Sequence, residues 1–149
     1  MSGVHIRPMR PEDYDAVYAL WMASPNMGFN NLDDSREGVE RLLRRNPDTC
    51  FVALGDDGLA GVILAGQDGR RGYIYHMAVA EAHRRQGVGT ALLDRCLDAL
   101  KNAGINKVAL LVFKYNTAGN AFWEKQSFTV REDVAYRNRE LRKLIRIDT

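Results

Sequence analysis

The stretch Val79-Ala80-Glu81-Ala82-His83-Arg84-Arg85-Gln86-Gly87-Val88-Gly89-Thr90 decides how the rest of the chain is read. The apolar run Tyr73 to Val79 before it predicts a strand. After it, Leu92, Cys96, Ala99 and Leu100 recur at helical spacing, which predicts a helix from about Gly87 to Ala103, stopped by Gly104. A strand, a short basic turn, a glycine pair and a long helix make a place for an anion. The first amides of a helix lack internal partners, and the helix dipole puts partial positive charge there. Gly87 and Gly89 let an anion approach the backbone, and Arg84 and Arg85 add charge. A nucleotide-binding P-loop needs G-x-x-x-x-G-K-[ST], and no lysine follows Gly89. A dinucleotide fingerprint needs a parallel βαβ unit, whereas the strands upstream form hairpins. The plain alternative is a strand-to-helix turn with solvated arginines.

Working outward, Val4 to Arg7 alternates like a strand, and Pro11 stands where a helix favours proline. Tyr14, Val17, Tyr18 and Trp21 predict a helix ending near Ser24-Pro25. Asn26 to Asp33 reads as a loop. Asp34 or Ser35 then caps a helix carrying Val39, Leu42 and Leu43, which stops at Asn46-Pro47. Cys50 to Leu54 and Leu59 to Ala65 predict a hairpin about Asp56-Asp57-Gly58. Val108 to Phe113 is continuously apolar, as in a strand buried on both faces. Asn116 to Gln126 reads as a helix, and Phe128 to Val134 and Leu141 to Ile147 as two last strands. The expectation is one α/β (α+β) domain over residues 1–149, in the order β-α-α-β-β-β-α-β-α-β-β.

Composition narrows the function. The 149 residues carry a net charge of +2, with 46% hydrophobic and 27% charged residues, which suits an ordinary globular domain. That charge balance argues against a dedicated nucleic-acid binder. Apolar runs are too short to span a bilayer, and no secretory signal is read at the N-terminus. Cys50 and Cys96 are far apart in apolar surroundings. They read as buried thiols of a cytoplasmic protein, with no metal site. Sixteen of the 21 basic residues are arginine, which favours either a GC-rich genome or recognition of an anion.

The pattern R-x-x-G-x-G at Arg84, Gly87 and Gly89 resembles the pyrophosphate-binding motif of the GNAT N-acetyltransferase superfamily. A second stretch, Asn116-Thr117-Ala118-Gly119-Asn120-Ala121-Phe122-Trp123-Glu124-Lys125-Gln126-Ser127-Phe128, resembles that family's later motif. Asp68-Gly69-Arg70-Arg71-Gly72-Tyr73 is similar to a branch of small bacterial members. The resemblance covers essentially the whole chain. It implies a mixed, mostly antiparallel, splayed sheet of about seven strands flanked by four helices. The implied activity is acetyl transfer from acetyl-CoA to a primary amine, of a small molecule or a peptide, by direct attack in a ternary complex. A homodimer would be in keeping with such folds. The alternative is an acyl-CoA-binding module with little turnover.

Carried over residue by residue, the resemblance has the backbone of Met77, Ala78 and Val79 meet the pantetheine. Gln86, Gly87, Val88, Gly89 and Thr90 hold the pyrophosphate, flanked by Arg84 and Arg85. Asn116 hydrogen-bonds the cofactor near the pantetheine, Phe122 packs beside it, and Trp123 is a further cofactor contact. Asn116 also reads as a helix cap. Trp123 stands where many relatives have a tyrosine that protonates the departing thiolate, and Ser127 replaces the usual glycine; indole is no acid. Tyr115 is one substitute. Side chains two apart on a strand share a face, so Tyr73, Tyr75 and Met77 fall together and His76 opposite, unless a bulge intervenes. Tyr73 and Tyr75 thus stand at the family's base positions, where they can anchor a water chain. His76 is a catalytic candidate set against a core role, and His83 reads as a surface residue. Phe29, Asn30, Asp33 and Tyr75 are the expected acceptor contacts, with Asp34 either drawing in a cation or capping a helix. With no carboxylate at the base position, an α-amine near pKa 8 suits the site better than lysine at about 10.4.

Overall fold

The computed structural model describes residues 3–148. Among them, five strands form one sheet in spatial order: β1 His5–Pro8, β2 Phe51–Gly55, β3 Gly58–Gln67, β4 Gly72–Val79 and β5 Val108–Leu110. The first four pair antiparallel, and β5 lies parallel to β4. The helices are α1 Tyr14–Met22, α2 Arg36–Arg45, α3 Val88–Asn102 and α4 Thr117–Lys125. A single 3-10 turn at Pro11–Asp13 leads into α1. It is held by Arg7, which donates to both Asp13 carboxylate oxygens at 2.8 Å. Ser35 rather than Asp34 caps α2, its hydroxyl accepting from the Gly38 amide at 3.0 Å.

The central strands β2 and β3 are buried on both faces, and the strand period of two sorts their residues. Val52, Val62 and Leu64 meet Val17, Trp21, Phe29 and Val39 on the side of α1 and α2. Phe51, Ala53 and Ile63 meet Leu92, Leu93, Cys96 and Leu100 of α3 on the other. Gly61 on β3 makes room for α3: a Cβ there would lie 3.0 Å from Leu92 and 3.1 Å from the Ala78 carbonyl. Cys50 and Cys96 are free and buried, and burial pushes their thiols up to about 11 and about 12.

Two expectations are corrected. No strand forms over 128–134 or 141–147, so the sheet has five strands and not seven. The residues from 129 to 143 are exposed throughout, so no apolar face presses them onto the sheet. A single bridge joins Arg146 to Asn30. The run 108–113 is likewise not buried on both faces. β5 ends at Leu110, Ala109 is exposed, and Leu111 is 52% exposed, because no further strand covers that edge.

The end of the chain instead clasps the loop between α1 and α2. The Phe29 carbonyl accepts from the Ile147 amide, and the Ile145 carbonyl from the Asn31 amide. The Asp148 carboxylate accepts from the Gly28 amide at 2.9 Å and the Phe29 amide at 2.7 Å. Burial opposes its charge, but these amides and Arg146 hold the Asp148 carboxyl below its ordinary pKa. A depressed carboxyl stabilises the fold above its unfolded pKa of about 3.9, and that contribution is lost as pH falls through the folded value. Asp148→Asn should therefore cost about 1–3 kcal/mol at neutral pH by urea unfolding. The difference from wild type should close once the medium is acidic enough to protonate Asp148.

Candidate active site

β4 carries one residue more than β3 can pair. His76 is opposite Leu64, Ile74 is opposite Ala65, and Tyr75 bulges between them. A bulge shifts the phase of side chains along a strand. Ile74 faces α3, as do Met77 and Val79 beyond the bulge, while His76 and Ala78 turn to the side of α1. The strict alternation expected from sequence is thus corrected: Met77 leaves the face of Tyr73, and His76 joins the side that holds Trp21 and Phe29.

There His76 is clamped. Its ring centroid lies 4.4 Å from that of Phe29 and 5.3 Å from that of Trp21. Its Nε2 is 2.8 Å from Oδ1 of Asp34. An ionised carboxylate only accepts, so we assign the proton to Nε2, which leaves Nδ1 with a lone pair. Nδ1 has no hydrogen-bond partner among the described residues. Asp34 is 4% exposed, and its second oxygen accepts from the Asn30 amide at 2.8 Å. The Tyr14 hydroxyl donates to the Asp34 carbonyl at 2.7 Å. Asp34 is therefore fixed from three directions, and in turn it fixes the imidazole.

His76 stands where two cavities meet. The first, about 630 Å3, opens between β4 and β5. β5 pairs only with Gly72–Ile74, so from Tyr75 onward β4 has no strand beside it on that edge among the described residues. Met77, Val112, Asn116, Phe122 and Trp123 line this groove. Gly89 adjoins it: a Cβ there would touch Met77 at 3.4 Å and Phe122 at 3.5 Å. The start of α3 has no side-chain cap, and Gly87 enters it with φ +81°. The amides of the first turn thus have neither an intrahelical nor a side-chain acceptor. The second cavity, about 990 Å3, lies between α2 and the ends of β3 and β4. Gly28, Asn30, Tyr73, Tyr75 and His76 line both cavities.

Measured against the expected site, the structure unites most of it. Tyr73 and Tyr75 lie at the junction with ring centroids 5.0 Å apart. Burial, then Tyr136 and Tyr75, push the Tyr73 phenol to about 12, and burial, then Asp33 and Asp68, raise that of Tyr75. Both are neutral phenols at physiological pH and not bases. Asn30 and Asp33 line the second cavity. Phe29 does not: it is fully buried against Trp21 at 4.8 Å and belongs to the core beneath His76. Tyr115 is corrected too. It is 60% exposed, stacks on Phe113 and lines neither cavity. Asn116 does cap α4, accepting from the Gly119 amide at 2.9 Å, while lining the groove. Arg84 Nε donates to the Val79 carbonyl at 3.1 Å, so part of that guanidinium is already engaged. His83 is no plain surface residue, since it meets Asp57 at 3.0 Å. Two features escaped the sequence reading. One is the pairing of Asp34 with His76. The other is Tyr136, which reaches the groove from the segment after α4.

A splayed sheet edge beside a glycine-opened helix agrees with a transferase that takes its acyl group from a CoA thioester, the class to which the family comparison assigns the chain. The chain belongs to the acetyltransferase (GNAT) family, whose model matches residues 14–128. Enzymes of this family draw the acetyl group from acetyl-CoA. The chain is 31% identical to an acetyltransferase of Pectobacterium atrosepticum over 125 residues, 84% of this chain and 87% of that one. Its fold is similar to that of Ard1 from Thermoplasma volcanium, with a TM-score of 0.77 and 25% identity over 87% of this chain and 84% of that one. It is also similar to a chain of the NatC complex bound to Gag peptide and CoA, with a TM-score of 0.72 and 18% identity over 85% and 84% of the two chains.

The Asp34–His76 contact makes a direct prediction. In a double-mutant cycle of Asp34→Asn and His76→Gln, followed by urea unfolding, the two changes should couple by about 1–3 kcal/mol. Additive effects would show that the pair does not act as a unit.

Proposed function

We propose that this protein is one acetyltransferase domain over 1–149. It moves the acetyl group of acetyl-CoA to the primary amine of a small molecule or a peptide α-amine by direct attack, in the cytoplasm. The observation that carries the reading is the Asp34–His76 pair, whose imidazole stands where the groove and the second cavity share their lining among the described residues. In this reading the groove takes the thioester arm, and the second cavity takes the acceptor.

The chemistry needs a neutral amine, a stabilised oxyanion and a departing thiolate. His76 takes the proton of the attacking amine at Nδ1, a buried nitrogen that must be uncovered for the transfer, and Asp34 holds the tautomer that keeps this nitrogen unprotonated. Histidine is suited to exchanging protons near neutral pH. The unpaired backbone edge of Tyr75 to Val79 offers amides for the thioester arm and the oxyanion. The uncapped first turn of α3, from Gln86 to Thr90, supports binding of the pyrophosphate, with Arg85 beside it. Phe122 and Trp123 supply apolar walls. Trp123 gives no proton to the leaving thiolate; Tyr136 also lines the same groove. With no carboxylate at the base position, an α-amine is favoured over lysine, whose amine is harder to deprotonate. The two free buried thiols agree with a reducing compartment.

Release of CoA with a panel of amines and peptides, read beside thermal stabilisation by CoA, tests the reading. Wild type should release CoA and be stabilised; stabilisation without release across the panel would make it a binding module. His76→Gln should lower kcat by about 10²–10⁴-fold with little change in KM for acetyl-CoA. Gly87→Ala, which forces a side chain into φ +81°, should raise KM for acetyl-CoA at least tenfold.

A further inference from the structure

The second cavity is polarised along its length. At the end shared with the groove stand His76 and Asp33. At the other end stand Arg45 of α2, Arg71 at the start of the β4 hairpin arm, and Lys107 just before β5, with Arg41 one helical turn before Arg45. None of these four cations has a carboxylate within ion-pair distance among the described residues. Asp68 lies at the same end, its Oδ1 accepting from the amides of Arg70 and Arg71. Those two amides are the main reason its carboxyl is held below the ordinary value. It offsets one positive charge and leaves the cationic end in excess. Unpaired arginines on one wall of a cleft are a recognition element for carboxylate or phosphate, since the planar fork can meet two oxygens at once.

The spacing sets the shape of the ligand. Arg71, just before β4, and His76 are five residues apart, on the order of 15 Å at the usual strand rise. The long arginine side chains span part of this, which leaves about 10 Å, the length of roughly three extended residues. A free amino acid holds its amine and carboxylate too close together to use both ends.

Resting on the acetyltransferase reading above, we propose that the acceptor is an elongated amine. Its amine sits by His76, and a carboxylate or phosphate two to three residue lengths away sits against Arg45, Arg71 and Lys107. Asp33, exposed at the amine end, attracts the ammonium form before its proton is lost. The end-to-end polarity orients the acceptor, and amines with a cation at the distal position are repelled.

The test uses three matched tripeptide amides: Ala-Ala-Glu, Ala-Ala-Gln and Ala-Ala-Lys. Phosphoserine at the third position separates phosphate from carboxylate, and free glutamate serves as the short acceptor. CoA release should show kcat/KM at least tenfold higher for the Glu than for the Gln peptide, lowest for the Lys peptide, and poor for free glutamate. In the double variant Arg45→Gln/Arg71→Gln the Glu-to-Gln ratio should fall toward one, with the melting temperature near that of wild type because both side chains are exposed. Calorimetric binding of the N-acetylated Glu and Gln tripeptides, with CoA present, reads the same preference without turnover. A wild-type ratio near or below one in both measurements overturns the proposal, as does a preference that survives in the double variant. Absence of CoA release with every acceptor sinks the enzyme reading alone, since product binding still decides the anion site.

Discussion

β4 has one residue too many for its partner, and the site depends on that mismatch. Without the bulge at Tyr75, alternation would carry His76 to the side of α3, away from Asp34 and the α1–α2 loop. With it, the imidazole lands between Trp21 and Phe29 and meets a carboxylate that is itself held by the Asn30 amide and by Tyr14. The aromatic clamp fixes the position of the ring, and the carboxylate fixes its proton. Neither would suffice alone, because a clamped ring can carry its proton on either nitrogen and a merely bonded ring can still swing.

The second constraint is the place where β4 and β5 part company. Pairing stops at Ile74 and Leu110, so the rest of β4 has no strand beside it on that edge among the described residues. Buried unpaired amides and carbonyls are costly, and a ligand able to pair with them relieves that cost. The groove, the bulge and the glycine turn follow one another within residues 75–89. In the proposed reading, one continuous stretch thereby serves the thioester arm, the base and the anion end. The clasp by Asp148 acts from far along the chain. It holds the backbone of Gly28 and Phe29, so it steadies both the lining shared by the cavities and one wall of the histidine clamp.

Much of this was readable from the sequence. Helices α1 to α4, the hairpins and the glycine-opened α3 all follow from apolar periodicity, caps and turn residues. The groove lining at Met77, Asn116, Phe122 and Trp123 followed from resemblance to a family with two motifs in the right order. What was not readable depended on contacts between distant residues. The bulge leaves no mark in Tyr73-Ile74-Tyr75-His76-Met77, where strict alternation is the natural reading. Asp34, next to Ser35 before α2, looks like one of two equivalent caps; only the fold shows that Ser35 takes that role and frees Asp34 for His76. Phe29, in a polar loop, reads as a site wall, whereas the clasp presses it into the core. The alternation after residue 128 looked like strands, but it has no apolar face to be buried.

Nitrogen-15 NMR of the His76 imidazole, compared between wild type and Asp34→Asn, tests the central claim most directly. Two-bond nitrogen–proton correlations at neutral pH distinguish the tautomers. The account predicts a proton on Nε2 and a bare Nδ1 in wild type, with this preference weakened in the variant. A proton resident on Nδ1 in the wild-type protein would contradict it, because the nitrogen assigned to accept the amine proton would already be occupied.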